Sequence, residues 1–270
     1  MQRTPRSFLF VPANRVDRFS KALDIGSDAV IIDLEDSVPV DLKEEARQLL
    51  IDWLETHPEQ NVLVRINSRQ TPWFIDDISV AKYPNVSAIV LPKTESITDI
   101  EAITNIKTIN IYPLIETPIG FSEVRTIATA FHVQALMFGS IDFQFEMGMN
   151  GGYNELLYFR NEIVLASKLA GINAPIDGVT VDIKNDELLT LEASQANNLG
   201  FSGKLCIHPL QVNIVNQVFT SSREEIDWAQ RVLKATAEAK GQAISLDGKM
   251  IDLPVIRKAE QILQKSAYSY

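Results

Sequence analysis

The chain has 270 residues, 46% of them hydrophobic and 22% charged, which excludes a disordered or fibrous polymer and supplies ample material for a core. Against 35 Asp and Glu stand 25 Lys and Arg, and a formal charge of −10 disfavours nucleic acid or an anionic membrane as the main partner. Apolar runs stop far short of the roughly 20 residues that span a bilayer, residues 8–11 are too short for a secretory core, and the single cysteine, Cys206, forms no internal disulfide, so a cytoplasmic protein is expected.

In chain order, a strand at residues 8–11 precedes a helix at 16–25, and a strand at 29–34 precedes a helix with Asp41 as its cap. The apolar Leu42, Ala46, Leu49, Leu50 and Trp53 form one stripe of that helix. Strand–helix pairs follow at 62–66 and 73–82, 88–91 and 97–105, 111–115 and 121–131, and 135–138 and 155–170. The last pairs are 178–182 with 186–199 and 204–207 with 210–218, and Gly171 and Gly200 close two of the helices. The strands are continuous apolar runs, the pattern of parallel strands covered on both faces. Eight βα units at this spacing predict an α/β protein built as a (β/α)8 TIM barrel, with an open doubly wound sheet as the rival. Residues 1–220 make the barrel; 221–270, read as a helix over 224–240, a linking segment and a last helix to about Lys265, form a C-terminal helical extension of the same domain.

Barrel chemistry sits at the carboxyl ends of the strands. There the sequence places Asn14 and Arg15, then Asp33, Glu35 and Asp36, Arg65, Lys93, Glu116, Asp142 after Gly139 and Ser140, Asp182 and His208. Crowded carboxylates repel unless a cation or proton intervenes, which points to a hard divalent metal, Mg²⁺ above all, with Glu116 and Asp142 as its ligands. Gly139 would let substrate approach the backbone, and amides near Gly139 and Ser140 would add donors. The plainer readings are a helix cap or ion pair for Asp33–Asp36 and Arg65, a turn residue for His208, a structural Asp182 and an inert core thiol for Cys206. The chain has no G-x-G-x-x-G, Walker lysine, H-E-x-x-H or G-x-S-x-G motif.

The segments Arg6-Ser7-Phe8-Leu9-Phe10-Val11-Pro12, Asp33-Leu34-Glu35-Asp36-Ser37-Val38, Val64-Arg65-Ile66-Asn67, Leu91-Pro92-Lys93, Ile115-Glu116-Thr117 and Gly139-Ser140-Ile141-Asp142-Phe143 resemble the citrate lyase β-subunit-like branch of the HpcH/HpaI aldolase family. Ile176-Asp177-Gly178-Val179, Leu199-Gly200-Phe201-Ser202-Gly203-Lys204, Ile207-His208-Pro209 and Asp247-Gly248-Lys249-Met250-Ile251-Asp252 continue the resemblance. It implies a Mg²⁺-dependent carbon–carbon lyase acting on a 3-hydroxyacyl-CoA such as citryl-CoA, malyl-CoA or citramalyl-CoA, giving acetyl-CoA and a 2-oxo acid. Glu116 and Asp142 match the metal ligands, Arg65 the arginine that holds the substrate carboxylate, Glu35 and Asp36 acids beside the metal, and Asp252 an acid/base residue on a C-terminal lid. A homotrimer or hexamer is implied, with citrate lyase subunits as further partners of some relatives. Malyl-CoA hydrolysis, a free 2-oxo-acid aldolase and a carrier-dependent β subunit are the alternatives. Pro118, Gln144, Glu146 and the stretch 148–153 depart from the commoner pattern, and Arg15 and Lys93 are candidates for CoA phosphates or acyl groups.

Overall fold

Strands with apolar residues at every position have two faces to bury, and a closed barrel wrapped in helices buries both. In the computed structural model, which describes residues 5–238 and 244–267, β1 (Ser7–Pro12), β2 (Ala29–Asp33), β3 (Val62–Arg65), β4 (Val86–Leu91), β5 (Asn110–Ile115), β6 (Met137–Phe138), β7 (Ile176–Asp177) and β8 (Gly203–Cys206) close in that order into a parallel barrel. The open-sheet alternative is thereby excluded. The helices of the wrap are α1 (Phe19–Asp24), α2 (Lys43–Thr56), α3 (Phe74–Asp77), α4 (Ile97–Thr104), α5 (Pro118–Ser122), α6 (Val124–Ala128), α7 (Ser140–Glu146), α8 (Leu157–Ala170), α9 (Asp186–Leu199) and α10 (Pro209–Val218).

Alternate strand residues fill the barrel interior: Phe8, Ala29, Ile31, Leu63, Ala88, Val90, Leu114, Ala135, Met137, Ile176 and Leu205 form one buried cluster. The other parity, including Val30, Ile32, Val64, Ile89 and Leu136, is buried beneath the helices. Cys206 belongs to this outer set, and burial pushes its thiol up to about 12, so the inert core reading holds. Gly171 and Gly200 end α8 and α9 with left-handed φ of 71° and 105°, as expected.

Four expectations need correction. Strand seven is not 178–182 but Ile176–Asp177, because its partner β6 has only two residues and pairs Met137 with Ile176. Asp182 is therefore a loop residue that accepts the Lys184 N–H. Asp41 does not cap α2: a 3₁₀ turn over Val40–Leu42 leads in, and Leu42 occupies the cap position without a side-chain bond. The helix expected at 121–131 starts earlier and is broken in two, since the Thr117 hydroxyl accepts the Gly120 N–H and Pro118 opens α5. α7 was not foreseen at all.

A second compact unit begins at Gln217. It contains α11 (Arg223–Glu238), a hairpin of β9 (Ile244–Leu246) and β10 (Lys249–Ile251), and α12 (Leu253–Ala267). Ala229, Val232, Ile251, Ala259 and Ile262 form its own core. Asp247 and Gly248, at φ 51° and 75°, supply the two left-handed residues of a tight hairpin turn. The last residues expected for the helix at 224–240, together with 241–243, and the basic start at Met1–Thr4 lie outside the described residues. Among the described residues no helix is long and apolar enough to cross a membrane.

Under α8 and α9, the outward side chains of Asp177 and Lys204 are fully buried. Asp177 accepts from Arg160 Nε at 2.8 Å and from Lys204 Nζ at 3.2 Å. Burial would raise this carboxyl, but the two cations hold it below the ordinary value. Removing one member of a buried pair strands the others. Asp177→Ala is expected to cost about 3–5 kcal/mol, read as a lower urea midpoint; an unchanged midpoint contradicts this role.

Candidate active site

The inward parity of the barrel continues past the apolar layers into charge. After Ala29 and Ile31 comes Asp33, after Leu63 comes Arg65, after Leu114 comes Glu116, and after Ala135 and Met137 comes Gly139. The top layer at the carboxyl ends is thus ionic because of where each apolar alternation stops.

Arg65 and Asp33 form its base. Arg65 Nε and Nη2 donate to the two Asp33 oxygens at 2.6 and 2.7 Å, and the guanidinium lies over the Phe10 ring with its carbon 4.7 Å from the centroid. Asp33 also accepts the Glu35 and Ser37 N–H groups, which folds the following loop back over the pair. Arg65 Nη1 donates to Asp36 at 3.3 Å and sits 3.1 Å from Glu35 Oε2. Burial opposes both charges, yet Arg65 holds Asp33 below its ordinary value and Asp33, with Glu35 and Asp36, holds Arg65 above its own.

Lys93 joins two further acids. Its Nζ donates to Glu35 Oε1 at 2.7 Å, while its main-chain N–H donates to Glu116 Oε1 at 2.8 Å. The second bond depends on a left-handed backbone, φ 48°, that is strained for a lysine. Burial alone would lower the Lys93 ammonium, but the bond to Glu35 and the surrounding carboxylates outweigh it. Glu116 is almost fully buried, and desolvation, with Glu35 and Asp142 nearby, pushes its carboxyl up to about 8. Burial and Asp36 likewise raise Glu35 against the pull of Arg65.

Gly139 serves this arrangement differently from the sequence expectation. A Cβ there would stand 2.5 Å from both Cβ and Oε2 of Glu116, so the missing side chain makes room for the carboxylate itself. Its N–H is spent on Ile115 O at 2.9 Å and is no free donor. Ser140 is buried at the start of α7, and the exposed Asp142 stands on that helix's first turn. Desolvation and Asp36 push the Asp142 carboxyl up. Beside these residues opens a cleft of about 410 Å³ lined by Ser68, Gln70, Lys93, Glu95, Thr117, Pro118, Ile119 and Glu146.

The barrel therefore brings Glu35, Asp36, Arg65, Glu116 and Asp142 into one electrostatically coupled group, with Gly139 and Ser140 at its edge. Asp252 belongs to the second unit, where it is exposed and its Oδ1 accepts the Val255 N–H as the cap of α12. Arg15 is occupied by Asp17 on the surface. His208 is a turn residue whose Nδ1 accepts the Leu210 N–H. Sequence reasoning missed the main-chain role of Lys93, which no residue pattern signals.

Five carboxyls, Asp33, Glu35, Asp36, Glu116 and Asp142, here surround the two cations of Arg65 and Lys93. The buried Glu35 Oε2 has no aligned hydrogen bond despite its ion-pair distance to Arg65. Among the described residues no three His, Cys, Asp or Glu groups converge as a ready cage. A hard ion that keeps several waters and takes one or two carboxylates fits such a donor set.

The family model described as HpcH/HpaI aldolase/citrate lyase matches residues 6–209, and one described as C-C bond lyase of the TIM-barrel fold matches 158–269. The chain is 34% identical to a citrate lyase subunit beta-like protein of Deinococcus radiodurans, with 97% of each chain covered. It is 32% identical to a (3S)-malyl-CoA thioesterase of Cereibacter sphaeroides, covering 97% of this chain and 94% of that one. Among solved structures it is similar to CitE from Mycobacterium tuberculosis in complex with magnesium, acetoacetate and coenzyme A, with a TM-score of 0.85, 32% identity and coverage of 97% and 98%.

A carboxyl held near 8 in the fold, against an ordinary value of 4.5, keeps its proton when folded and loses it when unfolded. Its stabilising contribution is full below 4.5 and is lost as pH rises toward about 8. In metal-free protein, Glu116→Gln is expected to flatten the fall in melting temperature across that window. An unchanged slope contradicts the burial argument.

Proposed function

The chain belongs to the HpcH/HpaI aldolase/citrate lyase family, and on that premise we propose that it is a Mg²⁺-dependent carbon–carbon lyase cleaving a 3-hydroxyacyl-CoA to acetyl-CoA and a 2-oxo acid. The observation that carries this reading is the excess of carboxylate over cation at the barrel mouth, with one arginine fork at its centre. Glu116 and Asp142 are the residues that would hold the metal directly, and Glu35 and Asp36 those that would hold its waters. When bound, the ion supplies Lewis-acid polarisation of substrate oxygens.

The chain's own residues do the rest. Asp33 occupies the Nε–Nη2 edge of Arg65 and fixes its plane; a substrate carboxylate would take the Nη1–Nη2 edge in place of the 3.3 Å bond to Asp36 and the 3.1 Å ion-pair contact with Glu35. A base takes the 3-hydroxyl proton, the C2–C3 bond breaks, and its electron pair passes to the thioester carbon skeleton as an enolate while the 2-oxo acid leaves. On the family resemblance, Asp252 exchanges the proton with the acetyl carbon, as the residue a C-terminal lid contributes. The open cleft beside Lys93 and Thr117 accommodates the acyl substituent. The reading includes a homotrimer or hexamer, supported by Phe131, Phe145 and Tyr158 standing 81%, 85% and 66% exposed.

The decisive experiment incubates the protein with Mg²⁺ and citryl-, malyl- and citramalyl-CoA in turn and follows acetyl-CoA, free CoA and 2-oxo acid separately. Acetyl-CoA with a matching oxo acid supports the lyase; free CoA with the intact hydroxy acid makes it a thioesterase like the Cereibacter sphaeroides relative in name. Turnover of none of the three contradicts a free-CoA enzyme. Asn caps a helix as well as Asp, so Asp252→Asn is expected to keep the melting temperature while lowering kcat at least about a hundredfold. A fully active variant removes the acid/base role. Arg65→Lys is expected to weaken oxo-acid binding, since an ammonium lacks the fork; unchanged affinity defeats that assignment.

A further inference from the structure

A helix N-terminus repels cations, and burying an ammonium is expensive, yet Lys43, the first residue of α2, turns its side chain inward and is only 6% exposed. All its polar contacts are to one loop. Nζ donates to Leu34 O at 2.8 Å and to Glu35 O at 2.7 Å, and the Trp73 ring covers it at 5.6 Å. Leu34 O accepts a further bond from Asn67 Nδ2, and Asn67 is itself held by Asp77. The two carbonyls that Lys43 grips belong to the peptide planes on either side of the Glu35 α-carbon, so their orientation determines where the Glu35 and Asp36 side chains point. Those side chains in turn meet Lys93 and Arg65.

An ammonium placed only for stability would be replaceable by an apolar side chain over Trp73. We propose that Lys43 is a positioning residue: it fixes the Leu34–Asp36 loop from below so that Glu35 and Asp36 are presented to the Arg65 centre, acting through main-chain carbonyls and touching no reacting group. The inference rests on reading Glu35 and Asp36 as active-site acids. It adds that the precision of these acids comes from a buried cation on the neighbouring helix.

The test compares amide hydrogen exchange in wild type and Lys43→Met, residue by residue, in metal-free protein. Lys43→Met is expected to speed exchange of the Glu35, Ser37 and Val38 amides at least tenfold while Ile31 and Ile32 keep their protection. It is also expected to weaken Mg²⁺ binding, followed by titration calorimetry, by about tenfold or more, the range seen when groups that orient metal ligands are removed. Lys43→Gln, a milder replacement that retains N–H donors, is read in parallel by the same criteria. Unchanged exchange in the loop, or acceleration spread evenly through the barrel strands, overturns the positioning role. The exchange readout needs neither metal nor substrate, so a failure of the lyase reading and a failure of this inference are told apart.

Discussion

The buried Arg65–Asp33 fork is the interaction on which the mouth of the barrel depends. Two short charge-assisted bonds lock the guanidinium plane, and the two remaining bonds to Asp33 come from the amides of the loop that carries Glu35 and Asp36. One carboxylate therefore fixes both the cation and the chain that brings the other acids to it. The pair sits where the inward alternation of β2 and β3 passes from apolar to ionic, so the apolar core beneath is its rigid support.

Around this pair the fold accepts local cost. Lys93 adopts a left-handed backbone to aim its N–H at Glu116, and residue 139 gives up a side chain so that Glu116 fits. Glu116 is left buried with its carboxyl pushed up to about 8. A core selected for stability alone would have no such group. Surplus carboxylates and an unaligned carboxylate oxygen gathered at one place are features that a divalent cation would offset.

Much of this was legible in the sequence because parallel strands buried on both faces leave unbroken apolar runs, and their ends can be read off. Seven of the eight strands overlap their expected positions; the seventh fails because Val179 and Val181 imitate a strand where β6 offers no partner beyond Met137. The acids and Arg65 were visible as the first polar residues after those runs. Pairings across the barrel were not: the two-bond hold of Asp33 on Arg65 and the double role of Lys93 depend on strands brought together by closure. Asp247-Gly248 was a readable hairpin signal, since both residues tolerate a left-handed backbone, but its short flanking strands hid it.

The surplus carboxylates at the mouth are the proposed magnesium site. Its most direct test is calorimetric titration of Mg²⁺ into the metal-free wild type and into Glu116→Ala and Asp142→Ala, each verified as folded by its melting transition. One saturable site is expected in wild type and in neither variant; two folded variants binding Mg²⁺ with wild-type affinity would rule out Glu116 and Asp142 as its ligands.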